Sequence, residues 1–88
     1  MNEPAQIIIK ALSNPIRLEI LAILSEAPFR ADNLTYLIEN SQSSVSQHLR
    51  ILRRAGLVRR ERTGRYVMYS IADARTGKFA HFLANLLR

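Results

Sequence analysis

The sequence contains no cysteine. Disulfides, thiolate metal sites and thiol redox chemistry are therefore excluded. Histidine is nearly as scarce, with only His48 and His81. No nucleophile, base and orienting group fall into a pattern that catalysis would need, so an enzyme is not expected. The three glycines, Gly56, Gly64 and Gly77, are too scattered to build a phosphate-cradling loop, and no cofactor is expected. The longest purely apolar run is Ile20 to Leu24, far short of the ~20 residues a membrane span needs. Met1 to Gln6 carries Glu3 and no basic residue, unlike the positive start of a secretory signal. A cytoplasmic location and no membrane partner are the expectations.

Acidic residues are also few, and they are unevenly placed. Residues 1–44 hold three basic against five acidic residues, a net of −2; residues 45–88 hold ten against two, a net of +8. Between Arg50 and Arg65 stand seven arginines and no lysine, opposed only by Glu61. Arginine presents a planar fork that pairs with phosphate or with a guanine edge. The whole chain of 88 residues carries a net charge of +6, which favours an anionic partner. Its length fits one domain, residues 1–88. A domain this small has little core, and without a disulfide or a metal it calls for a partner subunit.

The chain reads as four helices, a hairpin and a last helix: mainly α with a β-hairpin. Pro4 opens a first helix through Leu12. Asn14 caps a second that starts at Pro15 and ends near Ser25. A short third helix, 31–38, is expected to turn Leu34, Leu37 and Ile38 inward. Ser41 caps a fourth helix running to about Ala55, where Gly56 suits the left-handed position past a helix end. Residues 57–62 and 66–71 are strand-like runs, with Thr63-Gly64 supplying the turn. Asp73 caps a final helix to about Leu87, on which Phe79, Phe82, Leu83, Leu86 and Leu87 form one stripe.

The fourth helix carries the main functional signal. At about 100° per residue, Val45, Leu49 and Leu52 share one stripe, while Ser43, Ser46, Gln47, Arg50 and Arg54 share the opposite face. Short hydrogen-bonding side chains fill the N-terminal half of that face and arginines the C-terminal half. A helix entering the DNA major groove by its N-terminus wants this order. His48 falls beside the buried stripe and reads as a packed, hydrogen-bonded structural residue.

The stretches KALSNPIRLEIL, SQSSVSQHLRILRRAGLV and GRYVMYSI resemble, in order and spacing, the ArsR-type (ArsR/SmtB) bacterial regulators. The resemblance implies a winged helix-turn-helix fold and a homodimeric repressor of double-stranded DNA reading an imperfect palindrome. It makes residues 41–55 the recognition helix and 62–66 the wing tip. By the same resemblance Gln42, Ser43, Ser44, Ser46, Gln47 and Arg50 match the DNA-contacting segment, and Arg62, Thr63, Gly64 and Arg65 match the wing tip. Arg17 matches a family arginine for which pairing with a carboxylate and contact with a phosphate are equally open.

Several departures stand out. The family's thiolate sensor segment here reads FRADNLTYLIE, without a cysteine. At the Asp/His metal site of the last helix, Asp73 is in place, but Arg75 and Leu86 stand where the histidines would be and His81 is left over. No metal ligand set is expected. Glu39 occupies a turn position where members often have glycine, and Asn40 is expected to take the left-handed conformation instead. Ile7, Ile8 and Ile9 point in three directions, more apolar surface than a rim helix of a small monomer can hide. Ile7, Ile8, Phe79, Phe82, Leu83 and Leu86 are therefore the expected dimer contacts. Any inducer, small molecule or protein, is left open. The competing reading is a winged-helix interaction module whose basic face binds RNA or an acidic protein.

Overall fold

The computed structural model describes residues 2–88. The elements are α1 (Glu3–Leu12), α2 (Pro15–Leu24), β1 (Phe29–Arg30), α3 (Ala31–Ile38), α4 (Gln42–Arg54), β2 (Val58–Thr63), β3 (Tyr66–Ile71) and α5 (Ala74–Leu86). Helix starts follow their caps. The side chains of Asn2, Asn14, Ser41 and Asp73 accept from backbone N–H groups of Ala5, Ile16 and Arg17, Ser44, and Thr76 respectively, satisfying donors that the first turn leaves unpaired. At the far end of α4, Gly56 adopts φ +77°. Leu57 N–H then reaches Leu52 O at 3.0 Å and Gly56 N–H reaches Arg53 O at 3.0 Å. This is a Schellman closure, and both Leu52 and Leu57 drop into the core.

The core gathers one face from every helix. Ile20, Leu21, Leu34, Val45, Leu49 and Leu52 are its largest fully buried side chains, joined by Ala11, Leu24, Leu57, Val58, Tyr69, Ala80 and Leu83. Helix α2 is central, packing against α1, α3, α4 and α5. The strands form an antiparallel sheet in the order β1-β3-β2.

Four sequence expectations are corrected. A third strand, β1, pairs Phe29 with Tyr69 and Arg30 with Met68; two residues are too few to show a strand periodicity. Leu37 does not turn inward but is 47% exposed, since Leu34 and Ile38 already occupy the buried stripe of this two-turn helix. The left-handed residue after α3 is Glu39, at φ 56° and ψ 46°, not Asn40. The hairpin turn is Gly64-Arg65, one residue later than Thr63-Gly64, because Thr63 still pairs with Tyr66. Gly64 at φ +63° holds the first central position, where a two-residue turn of the II′ kind wants glycine.

Candidate nucleic-acid interface

Helix α4 is built as a rigid rod with one dry side. Val45 and Leu49 are 1% exposed and Leu52 is wholly buried. With that stripe fixed in the core, the opposite face must point to solvent. Gln42, Ser43, Ser46, Gln47, Arg50 and Arg54 are all exposed, while Ser44 is half-buried. Ser41 Oγ accepts from Ser44 N–H at 3.1 Å and lies 3.5 Å from Ser43 Oγ. The first turn carries no acidic residue, so the positive end of the helix dipole is left to an incoming anion.

The hairpin supplies a second basic feature. Arg62, Thr63, Gly64 and Arg65 are exposed around the turn. Residues paired across strands share a sheet face. Arg60 pairs with Tyr69 and Arg62 with Val67, so both lie on the face that carries buried Val58 and Tyr69, the side turned toward the core. Arg59 and Glu61 lie on the other face, and Arg59 donates to Ala72 O at 3.0 Å. Arg60 therefore joins Arg62 on the core-side face. The alternation Val58, Arg60, Arg62 along the strand is the sequence signal for this placement. Among the described residues, Arg50, Arg54, Arg60, Arg62 and Arg65 form no ion pair. Their charge is available to an external anion.

A second group was invisible to sequence reasoning. Strand β1 brings Arg30 onto the wing: its guanidinium carbon lies 3.7 Å from the centre of the Tyr66 ring, and its Nε donates to Asp32 Oδ1 at 3.0 Å. The hydrogen bond from Arg30 holds the Asp32 carboxyl below its ordinary pKa, and Asp32 in turn raises Arg30. The tip end of the wing is thereby tied to the start of α3.

Arg17 serves neither of the roles left open for it. Its side chain is buried, and Nε donates to Ala11 O at 2.6 Å and an Nη to Lys10 O at 3.0 Å. His48 is half-buried with its Nδ1 3.2 Å from the other Nη of Arg17, in keeping with a packed, hydrogen-bonded histidine. Asp73 is engaged as a helix cap, with Oδ1 2.8 Å from Thr76 N and Oδ2 3.7 Å from Arg75. The Thr76 N–H is the main reason its carboxyl titrates below the usual range. His81 faces Asn85 at 3.3 Å. Among the described residues no three acidic, His or Cys side chains converge on a point that could hold a metal ion.

A second exposed face is apolar. Ile7, Ile8 and Ile9 of α1 and Phe79, Phe82, Leu86 and Leu87 of α5 are all at least 37% exposed, with Leu86 reaching 67%. Ile8, Leu12, Leu57, Thr76 and Phe79 line one surface pocket, which makes the two helices neighbours. Leu83, expected with this group, is only 8% exposed and belongs to the protomer core. No helix among the described residues is long and apolar enough to cross a membrane.

Two helices joined by a short turn, the second presenting a polar outer face, followed by a basic hairpin, define a winged helix-turn-helix protein of the DNA-binding class. Comparison with known proteins narrows this. The family described as bacterial regulatory proteins of the arsR family matches residues 14–60. The regulator YbzH of Bacillus subtilis is 38% identical over 92% of this chain and 95% of its own length. The repressor SmtB of Mycobacterium tuberculosis is 38% identical over 91% of this chain, which spans only 54% of that protein. The homodimeric winged helix-turn-helix DNA-binding domain of Mb0332 from Mycobacterium bovis shares the fold, with a TM-score of 0.86 at 24% identity, over 97% of this chain and 79% of that one. The chain belongs to the arsR family: it is a DNA-binding transcription regulator and not an enzyme.

Proposed function

We propose that this protein is a homodimeric repressor that binds an imperfect DNA palindrome sequence-specifically. Helix α4 enters the major groove and the wing, residues 62–66, lies on the backbone or in the minor groove. The observation that carries this reading is the outer face of α4. It offers Ser43, Ser46 and Gln47 ahead of Arg50 and Arg54, all exposed over a fully buried stripe. A purely electrostatic binder would need only the arginines; serine and glutamine at the N-terminal half supply base-edge hydrogen bonding. Ser44 is half-buried and acts through the helix start, while Gln42, Arg62, Thr63, Gly64 and Arg65 approach phosphate and sugar. Two-fold pairing through Ile7, Ile8, Phe79, Phe82 and Leu86 sets two recognition helices on successive turns of one DNA face. The exposed apolar surface of α1 and α5 supports that pairing, as does the homodimeric state of Mb0332. Repression follows the named role of SmtB. With no cysteine in the chain, the signal that releases DNA is neither thiolate-bound metal nor thiol oxidation, and no metal cofactor is assigned.

The test is selection from random double-stranded DNA, followed by gel shift against nonspecific DNA and RNA competitors. A palindromic consensus bound far more tightly than either competitor is the expected result. Equal competition by RNA or by random DNA would overturn the reading.

A further inference from the structure

Arg17 sits where three helices meet. Asn14 Oδ1 accepts from its backbone N–H at 3.1 Å and so fixes it in the first turn of α2. Its guanidinium then reaches three acceptors. Two are carbonyls of the last turn of α1, Lys10 O and Ala11 O; the third is Nδ1 of His48 on α4. Helix ends leave such carbonyls short of intrahelical partners; Lys10 O also accepts from the cap Ser13 N–H at 3.2 Å. The side chain is 9% exposed, and no buried polar side-chain atom among the described residues lacks a partner. One planar fork thus closes the C-terminus of the helix that carries Ile7, Ile8 and Ile9 and also grips the helix that carries Gln47 and Arg50.

We propose that Arg17 and His48 are a positioning pair that fixes α4 against α1, and that only neutral His48 holds the link, so operator affinity falls on acidification through this one imidazole. The inference rests on the dimeric DNA-binding reading above. Arginine has donors and no acceptor, so Nδ1 must offer its lone pair and the ring hydrogen must sit on Nε2. A proton on Nδ1 would set N–H against N–H and cation against cation. The link would open, and α4 would lose its tie to the helix that seats the partner subunit.

Arg17 is the charge that acts on the ring. From α2, Arg17 faces the ring; on the α1 side, the Lys10 and Ala11 carbonyls bind Arg17 itself. Along α4 the residues three and four positions away are Ser44, Val45, Ile51 and Leu52, none of them charged. Burial, and then the Arg17 charge, push the imidazole below its ordinary pKa of 6.5. The link therefore persists through neutral pH and is lost as pH falls through that lowered value.

The experiment measures operator affinity of the full chain from pH 8 to pH 5 for the wild type, His48→Asn and His48→Leu. Asparagine keeps an oxygen acceptor near the Nδ1 position and does not titrate. Wild-type affinity should be flat above neutrality and then fall, approaching about tenfold per pH unit for each coupled proton, and so about a hundredfold for the two His48 imidazoles of a dimer. His48→Asn should match the wild type at pH 7.5 and stay flat below it. His48→Leu should bind weakly at every pH while remaining dimeric by sedimentation. A wild type that is flat to pH 5, or one whose fall His48→Asn reproduces, would overturn the proposal. Nitrogen NMR of the free protein supplies an arm independent of DNA: the Nε2–H tautomer at pH 7.5 is expected, and the Nδ1–H tautomer would exclude the link. Failure of the wild type to bind selected DNA at pH 7.5 would sink the DNA reading instead, leaving the NMR result to decide the pairing.

Discussion

Replacing Glu39 by glycine should stabilise this protein. Glu39 ends α3 with φ 56° and ψ 46°, the left-handed region. Holding an L-residue there costs roughly 1–2 kcal/mol, which glycine does not incur. Against this, glycine loses about 0.4–1 kcal/mol more unfolded-chain entropy on folding. Glu39 is exposed, and its carboxylate makes no ion pair among the described residues, so no contact is sacrificed. The middles of the two ranges leave a net gain of about 0.8 kcal/mol, or a rise in Tm of about 3–6 °C for a domain of this size. Calorimetry at one fixed protein concentration is the assay, because dimer formation makes Tm depend on concentration. Glu39→Gln separates backbone from charge, since it removes the carboxylate and keeps the strain. It should melt with the wild type, and Glu39→Asn should fall between it and glycine. If Glu39→Gly melts no higher than Glu39→Gln, the turn of the helix-turn-helix is not strained as described.

Four other outcomes follow from the site. Gln47→Ala should relax base preference and cost about 1–3 kcal/mol on the specific sequence, whereas Arg65→Ala should weaken all sequences alike and flatten the salt dependence by about one unit; equal losses for Gln47→Ala on specific and random DNA would count against a base contact. Phe82→Asp with Leu86→Asp should give monomer or unfolded chain by light scattering and abolish operator binding; a folded dimer would move the interface elsewhere. Tyr66→Phe keeps the ring beneath Arg30 and should match the wild type in its urea midpoint, while Tyr66→Leu should lower it; identical midpoints would show that the stack contributes nothing to the wing. Stoichiometric zinc, nickel, cobalt or copper should leave operator affinity unchanged, and a large loss abolished by His81→Ala would reverse that assignment.

What the sequence made legible is what repeats along one element. The buried stripe Val45, Leu49 and Leu52 and the polar face opposite it follow from helical spacing alone, and the caps Asn14, Ser41 and Asp73 from residue type at each helix start. What it hid depends on residues far apart in the chain. Arg30 meets Tyr66 only because β1 pairs beside β3, and a two-residue strand leaves no pattern to read. Asn40 is a better left-handed residue than Glu39 by type, yet Ile38 is the last side chain that α3 buries, so the chain must turn immediately after it. Position in the fold overrode residue preference there. Likewise the glycine neighbour of Thr63 suggests a turn, but pairing with Tyr66 keeps Thr63 in the strand. Leu83 has the spacing of a dimer residue and nonetheless faces its own core. The same helix stripe serves both surfaces, and spacing alone does not divide them.

In the proposed complex, α4 reads base edges in two successive major grooves while the wing holds the flanking backbone. Methylation interference at guanine N7, combined with hydroxyl-radical footprinting, tests it most directly on the selected operator. Two clusters of major-groove interference related by two-fold symmetry are expected, with centres about 34–36 Å apart on one face of the duplex, and Gln47→Ala should erase the same step in each cluster. A single cluster, or backbone protection with no guanine interference at all, would contradict it.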